Sequence, residues 1–248
     1  MNRLVGVVTG GTRGIGRGLA EYLLEQGARV AVTYHTDDEA AEKARQDLER
    51  SARDASQLAF LKGDAGDSEV VNRQHREVHK TFGVVNVLIN NAGIMPQHSF
   101  EELTPEIWEQ TIRVNLNSAF YWCREVVPGM KKQGFGRIVN MASLAARGGG
   151  VVGPHYAASK AGMLGLTRYG ARELGPFGIT VNAINPAFIQ DAGIFAGWSE
   201  KDRAELKDKT VVPELGGVKD VVRAFAYLLE SPFVTGVALD VNGGAFMI

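Results

Sequence analysis

The sequence predicts a doubly wound α/β fold: a parallel sheet of about seven strands with helices on both faces, in one domain spanning 1–248. Three observations predict it. Short runs of Val, Ile and Leu alternate with longer amphipathic stretches along the whole chain. The runs are apolar nearly throughout, rather than at every second residue, as strands buried on both faces must be. A Gly-rich turn follows the first run, at the strand end where such sheets place a ligand.

The strands are expected at 4–9, 29–34, 58–62, 85–89, 137–141, 179–184 and 237–241. Helical periodicity fills 16–26, 38–53, 68–81, 105–132 and 156–174 between them. Asp37 and Asp38 stand where a carboxylate caps the second helix. The segment 187–215 breaks the rhythm. It is long, holds Phe188, Phe195 and Trp198, and carries a charged stretch over 200–209. Apolar residues in such an excursion need something to cover, so a substrate lid is expected there.

Composition excludes several classes of function. A formal net charge of −1 gives no bulk attraction to nucleic acid or an anionic membrane. No apolar run approaches the ~20 residues that span a bilayer, and no secretory leader is evident. The single Cys123 has no cysteine partner for a disulfide or a zinc cluster. These features predict a cytoplasmic protein. His75 and His79, four apart on a charged helix, have zinc-compatible spacing but no evident third ligand, so a solvated face and no metal are expected.

Chemistry gathers at the carboxyl ends of the strands. After the first comes the turn 9–16, with Gly10, Thr12, Arg13, Gly14, Ile15 and Gly16. Its glycines let the backbone approach a pyrophosphate, and the following helix offers free N–H groups to that anion. Tyr156 and Lys160 are four apart on a helix and share a face. An ammonium beside a phenol favours the phenolate and should lower its pKa toward working pH.

The Gly-x-x-x-Gly-x-Gly spacing resembles the short-chain dehydrogenase/reductase family. So do Asp64 after the third strand, Asn90-Asn91-Ala92-Gly93 after the fourth, Asn115, Ser143 after the fifth, Tyr156-Ala-Ala-Ser-Lys160, Asn185-Pro186 after the sixth, and Val241-Asn242-Gly243-Gly244. The order and spacing match over essentially the whole chain. The resemblance implies a Rossmann-like fold and a tetrad in which Tyr156 donates the proton, Lys160 tunes it, Ser143 polarises the carbonyl and Asn115 holds a relay water. It implies cofactor contacts from the Gly-rich turn and from Thr33, Tyr34, Asp64, Ala65, Asn91, Ala92, Gly93, Tyr156, Lys160, Pro186 and Ile189.

The strand-two acid that binds the adenosine ribose in NAD enzymes is replaced by Tyr34. Arg13 matches the base that NADP-dependent relatives use for the 2′-phosphate, a dianion that suits a guanidinium. NADP(H) is therefore expected in preference to NAD(H). Two positions depart from the family: Ala187 stands for its Gly, and Asp191 for the Thr that binds the nicotinamide carboxamide. Gln190 is a candidate substitute. Met95, Ala145, Val151, Gln190 and Trp198 are candidate substrate contacts beside Ser143.

The nearest subfamily resemblance is to 3-oxoacyl-carrier-protein reductases. Arg172 matches one of their carrier-docking bases, whereas Val127 occupies a second, with Lys131 and Lys132 close by. The substrate expected is a small carbonyl compound or an acyl thioester, with an acyl carrier protein as a possible partner. An alcohol, sugar or steroid dehydrogenase running in oxidation, and a silent NADP-binding sensor, remain alternatives. The family's habit implies a homotetramer or homodimer, for which Phe120, Tyr121, Trp122, Phe177 and Phe246 are candidate interface residues.

Overall fold

The computed structural model describes residues 4–192, 199, 201 and 207–247. Each apolar run forms a strand, because β-branched residues suit a pleated surface covered on both sides. In chain order the elements are β1 (Val5–Thr9), α1 (Gly14–Glu25), β2 (Arg29–Tyr34), α2 (Asp38–Glu49), β3 (Leu58–Lys62), α3 (Ser68–Phe82), β4 (Val87–Asn90), α4 (Pro105–Ile112), α5 (Ser118–Gln133), β5 (Gly136–Met141), α6 (Ala145–Gly148), α7 (Pro154–Leu174), β6 (Ile179–Pro186), α8 (Val218–Glu230) and β7 (Ala238–Val241). The seven strands form one sheet in the order β3-β2-β1-β4-β5-β6-β7. Every pairing is parallel.

Alternate residues of each strand feed two cores. Val8, Val30, Val32, Ile89, Val139 and Ile184 pack with Leu19, Leu23 and Leu24 of α1 and Phe225 and Leu228 of α8. Val5, Val7, Ala31, Leu88, Ile138 and Val181 face the other way, onto Val71 and Val78 of α3 and Trp122, Val126 and Met130 of α5. Both faces are apolar for this reason, and each such side chain stabilises the fold by roughly 1.5–3 kcal/mol. Trp122 is fully buried, so this candidate interface residue belongs to the core. Phe120 and Phe177 remain exposed on the surface.

Chain order reverses between β1 and β4 in the sheet, and that switch opens a crevice at the carboxyl edge. The helix expected over 105–132 is interrupted there. Residues Arg113–Asn117 form a π-helical turn between α4 and α5, a feature that often marks a functional site. α6 and α8 are additional to the elements expected from sequence, α8 emerging where the expected lid segment ends. Of that segment, residues 193–198 and most of 200–206, with Phe195 and Trp198, lie outside the described residues. No helix among the described residues is long and apolar enough to cross a membrane.

Candidate active site

The crevice begins at the Gly-rich turn. Gly10 has φ +63°, and a Cβ there would lie 3.0 Å from the Ala92 Cα. At Gly16 a Cβ would sit 2.5 Å from both the Gly10 carbonyl oxygen and the Asn91 side-chain nitrogen. Only glycine fits either place. Asp37, Asp67 and Thr104 cap α2, α3 and α4 through their side chains. α1 has no side-chain cap and no acidic residue in its first turn. Its free N–H groups are what a pyrophosphate needs. The described residues therefore fit a dinucleotide.

Thr9 holds this turn against the loop after β4, and the sequence reading passed over it. Its hydroxyl accepts from the backbone N–H of Asn91 and of Ala92, each at 2.9 Å, and donates to the Ile89 carbonyl. The Asn91 amide donates to the carbonyls of Thr9 and Gly10. A threonine ending a strand just before a glycine turn was the available signal. Thr9→Val leaves two partly buried N–H donors without their acceptor, and urea unfolding should show a loss of about 1–2 kcal/mol.

At the adenosine end, Arg13 is largely exposed and lies 3.8 Å from Asp37. Asp37 caps α2 as expected, accepting from Ala40 N–H. Asp38 instead accepts from the Tyr34 hydroxyl and the Lys62 ammonium. Thr33 is buried, and its carbonyl accepts from Gly11 N–H. Asp64 accepts from Gly66 N–H at 2.8 Å and from Arg113 at 2.7 Å.

Three residues of the expected tetrad converge on one cleft, and Asn115 is buried behind it. Ser143, Tyr156 and Lys160 line it with Ile15, Asn91, Gly93, Met95, Ala145, Val151, Pro186 and Ile189. β5 delivers Ser143 just beyond its end, and α7 delivers Tyr156 and Lys160. The Ser143 hydroxyl accepts from Ala145 N–H at 3.1 Å and meets the Tyr156 hydroxyl. The Lys160 ammonium is 5.7 Å from the Tyr156 ring centre. It donates to the Met141 carbonyl at 2.6 Å.

Burial governs the acid-base chemistry of the ligand-free cleft. It pushes the Tyr156 phenol above its ordinary value, and the Ser143 hydrogen bond draws it only partly back. It lowers Lys160 to about 8. The expected lowering of the phenol by the lysine is thus not seen: with its charge itself disfavoured in a dry site, the lysine does not offset the phenol's loss of water. Tyr156 is a protonated acid at neutral pH.

Asn115 is fully buried in the π-helical turn. Its amide accepts from Ile94 N–H at 2.7 Å and donates to the Ile94 carbonyl and the Ser159 hydroxyl. The side chain pins the loop after β4 onto α7, close to Lys160.

Other expectations divide. Gln190 is exposed and lies outside the cleft wall; its backbone N–H donates to the Gly216 carbonyl. The Asp191 carboxylate accepts from Val218 N–H at 2.9 Å, at the start of α8. The family's Gly-to-Ala change at Ala187 precedes Phe188, which lines the cleft with φ +55°. A left-handed aromatic costs roughly 1–2 kcal/mol and clusters at functional sites. His155 is buried and bonded to the Pro96 carbonyl, away from the cleft wall. His75 is not on a solvated face: it is half-buried, 3.6 Å from Glu125 of α5. No group that could hold a metal ion occurs among the described residues.

Residues 5–203 match the short chain dehydrogenase family. The chain belongs to the short-chain dehydrogenase/reductase family. It is 38% identical over 236 residues to an uncharacterized short-chain type dehydrogenase/reductase of Sinorhizobium fredii, covering 94% of this chain and 92% of that protein. It is 34% identical to a 3-oxoacyl-[acyl-carrier-protein] reductase of Staphylococcus epidermidis, over 97% and 98% of the two chains. An acetoacetyl-CoA reductase of Allochromatium vinosum is 33% identical, over 98% of each. This family member is an oxidoreductase of the CH–OH/C=O class, and the family binds a nicotinamide cofactor.

Proposed function

We propose that the protein is an NADPH-dependent ketoreductase that reduces a ketone or 3-oxoacyl carbonyl to a hydroxyl. The observation that carries this reading is the convergence of Ser143, Tyr156 and the buried Lys160 on one largely apolar cleft, with the Lys160 ammonium 5.7 Å from the Tyr156 ring centre. NADPH supplies the hydride when bound. Ser143 and Tyr156 hydrogen-bond the substrate oxygen and align the carbonyl. As charge develops on that oxygen, the Tyr156 phenol gives it a proton. The phenolate left behind is stabilised by the Lys160 ammonium. Asn115 can take a relay water through its backbone carbonyl or the second lone pair of its side-chain oxygen, and so resupply the proton.

Buried and protonated in the ligand-free cleft, the Tyr156 phenol is in the state from which a carbonyl reduction draws its proton. The named activities of the reductase relatives agree. Arg172 is exposed, but Lys131 is paired with Glu173 at 3.1 Å and also covers the Phe177 ring. The substrate is thus read as a free carbonyl compound or a small acyl thioester, and the protein as cytoplasmic. The exposed Phe120 and Tyr169, on α5 and α7, support a homotetramer, which light scattering would measure.

The test is consumption of NADPH and NADH with acetoacetyl thioester and a panel of apolar ketones. NADPH-dependent turnover is expected. Tight NADPH binding with no turnover on any carbonyl would overturn the reading in favour of a sensor. Arg13 carries the cofactor preference. Arg13→Ala should raise KM for NADPH about tenfold or more and leave that for NADH nearly unchanged.

A further inference from the structure

We propose that Arg113 is a positioning residue for the adenine subsite: it holds the Asp64 carboxylate in the orientation that meets the adenine amino group. The inference rests on the nicotinamide-dinucleotide reading above and adds a residue to it. Asp64 follows β3, and Arg113 opens the π-helical turn, 49 residues further along. Their contact is 2.7 Å between one guanidinium nitrogen and one carboxylate oxygen. The other carboxylate oxygen accepts from Gly66 N–H. One anchor would leave the carboxylate plane free to turn about its last bond. Two anchors fix it, with a lone pair on each oxygen still open to a ligand.

The surroundings show that Arg113 is seated rather than loosely exposed. Gly66 is buried beneath it: a Cβ at that position would lie 2.7–3.1 Å from three atoms of the arginine side chain. The lack of a side chain at Gly66 makes room for the guanidinium to reach Asp64. Burial alone would raise the Asp64 carboxyl, yet Arg113 and the Gly66 N–H hold it below its ordinary value, so it stays anionic. The π-helical turn carries Arg113 at one end and Asn115 inside it. One short element thus braces both halves of the crevice.

A purely structural role is the competing account, and magnitude separates the two. The arginine and aspartate side chains are 42% and 27% exposed. A single ion pair that still meets solvent, even a well-seated one, contributes only up to about 1 kcal/mol to stability. Asp64 instead lies just beyond the carboxyl end of β3, on the sheet edge where such folds bind ligands, so the pair matters for a ligand.

The experiment titrates NADPH by fluorescence and measures turnover for wild type, R113Q, R113K and D64N, with melting curves as a fold control. R113Q should weaken NADPH binding about tenfold, raising KM well ahead of any change in kcat. R113K should recover part of the loss. In a D64N background R113Q should add little, because the two substitutions remove one interaction. Turnover with reduced nicotinamide mononucleotide, which lacks adenosine, should suffer far less than turnover with NADPH. Equal losses with both cofactors, additive losses with D64N, or unchanged NADPH affinity would each overturn the role of Arg113. Failure of the wild type to bind NADPH or NADH at all would instead sink the functional reading on which it rests.

Discussion

Tyr156→Phe should lower kcat for carbonyl reduction by about a thousandfold or more, while NADPH affinity stays within about threefold. The substitution removes one oxygen and leaves the ring, so packing in the cleft is retained. That oxygen is the only acidic hydroxyl among the described cleft-lining side chains, since the Ser143 hydroxyl is far too weak an acid at neutral pH. Burial keeps the phenol protonated, so its proton is available wherever the enzyme works near neutrality. Ser143 would remain to hold the substrate oxygen, which explains a residual rate above background but not a large one. Single-turnover kinetics with NADPH bound would separate chemistry from binding. A Tyr156→Phe enzyme retaining a tenth of wild-type kcat would remove Tyr156 as the acid.

Much of this arrangement was legible in the sequence, and the reasons are specific. The sheet declares itself because β1, β2 and β4 to β6 are buried on both faces, which forces continuous apolar runs. The Gly-rich turn is legible because Gly10 and Gly16 sit where any Cβ would collide with backbone or Asn91. Periodicity could not reveal the π-helical turn: one extra residue in a turn leaves the amphipathic pattern of 105–132 nearly intact. It missed α8 for another reason. Val221, Phe225, Leu228 and Leu229 have helical spacing, but they follow an irregular stretch that conceals the start.

The site shows the same division. Spacing placed Tyr156 and Lys160 on one face, yet it could not rank the forces acting on them. Desolvation depends on how completely β5, α7 and the loop after β4 close around a group, which no local motif encodes. Hence Tyr156 is raised where proximity to an ammonium alone predicted lowering. Asp64 and Arg113 are far apart in sequence, and only the fold brings the base to the acid.

Lys160→Met should abolish reduction yet make the ligand-free protein more stable at pH 7. Lys160 is 4% exposed, and its ammonium has a carbonyl partner, the Met141 oxygen, but no carboxylate among the described ion pairs. Its value falls to about 8 in the folded protein, against about 10.4 in an unfolded chain. Below pH 8 both states carry the proton, so folding must bury a charge. That cost is on the order of 3 kcal/mol from the difference between the two values. Between about pH 8 and 10.4 the unfolded chain still binds the proton and the folded one does not. The sign follows: wild-type stability gains with rising pH through that window, and the gain is lost as pH falls through the folded value. Methionine keeps the apolar stem and drops the charge, but leaves the Met141 carbonyl without its donor, which returns about 1 kcal/mol. Urea midpoints should therefore favour the variant by about 2 kcal/mol at pH 7 and converge with or fall below wild type by pH 10.5. A variant that is less stable than wild type at pH 7 would mean that the ammonium is well solvated in its cleft. The stabilisation of the Tyr156 phenolate by a desolvated cation would then lose its basis.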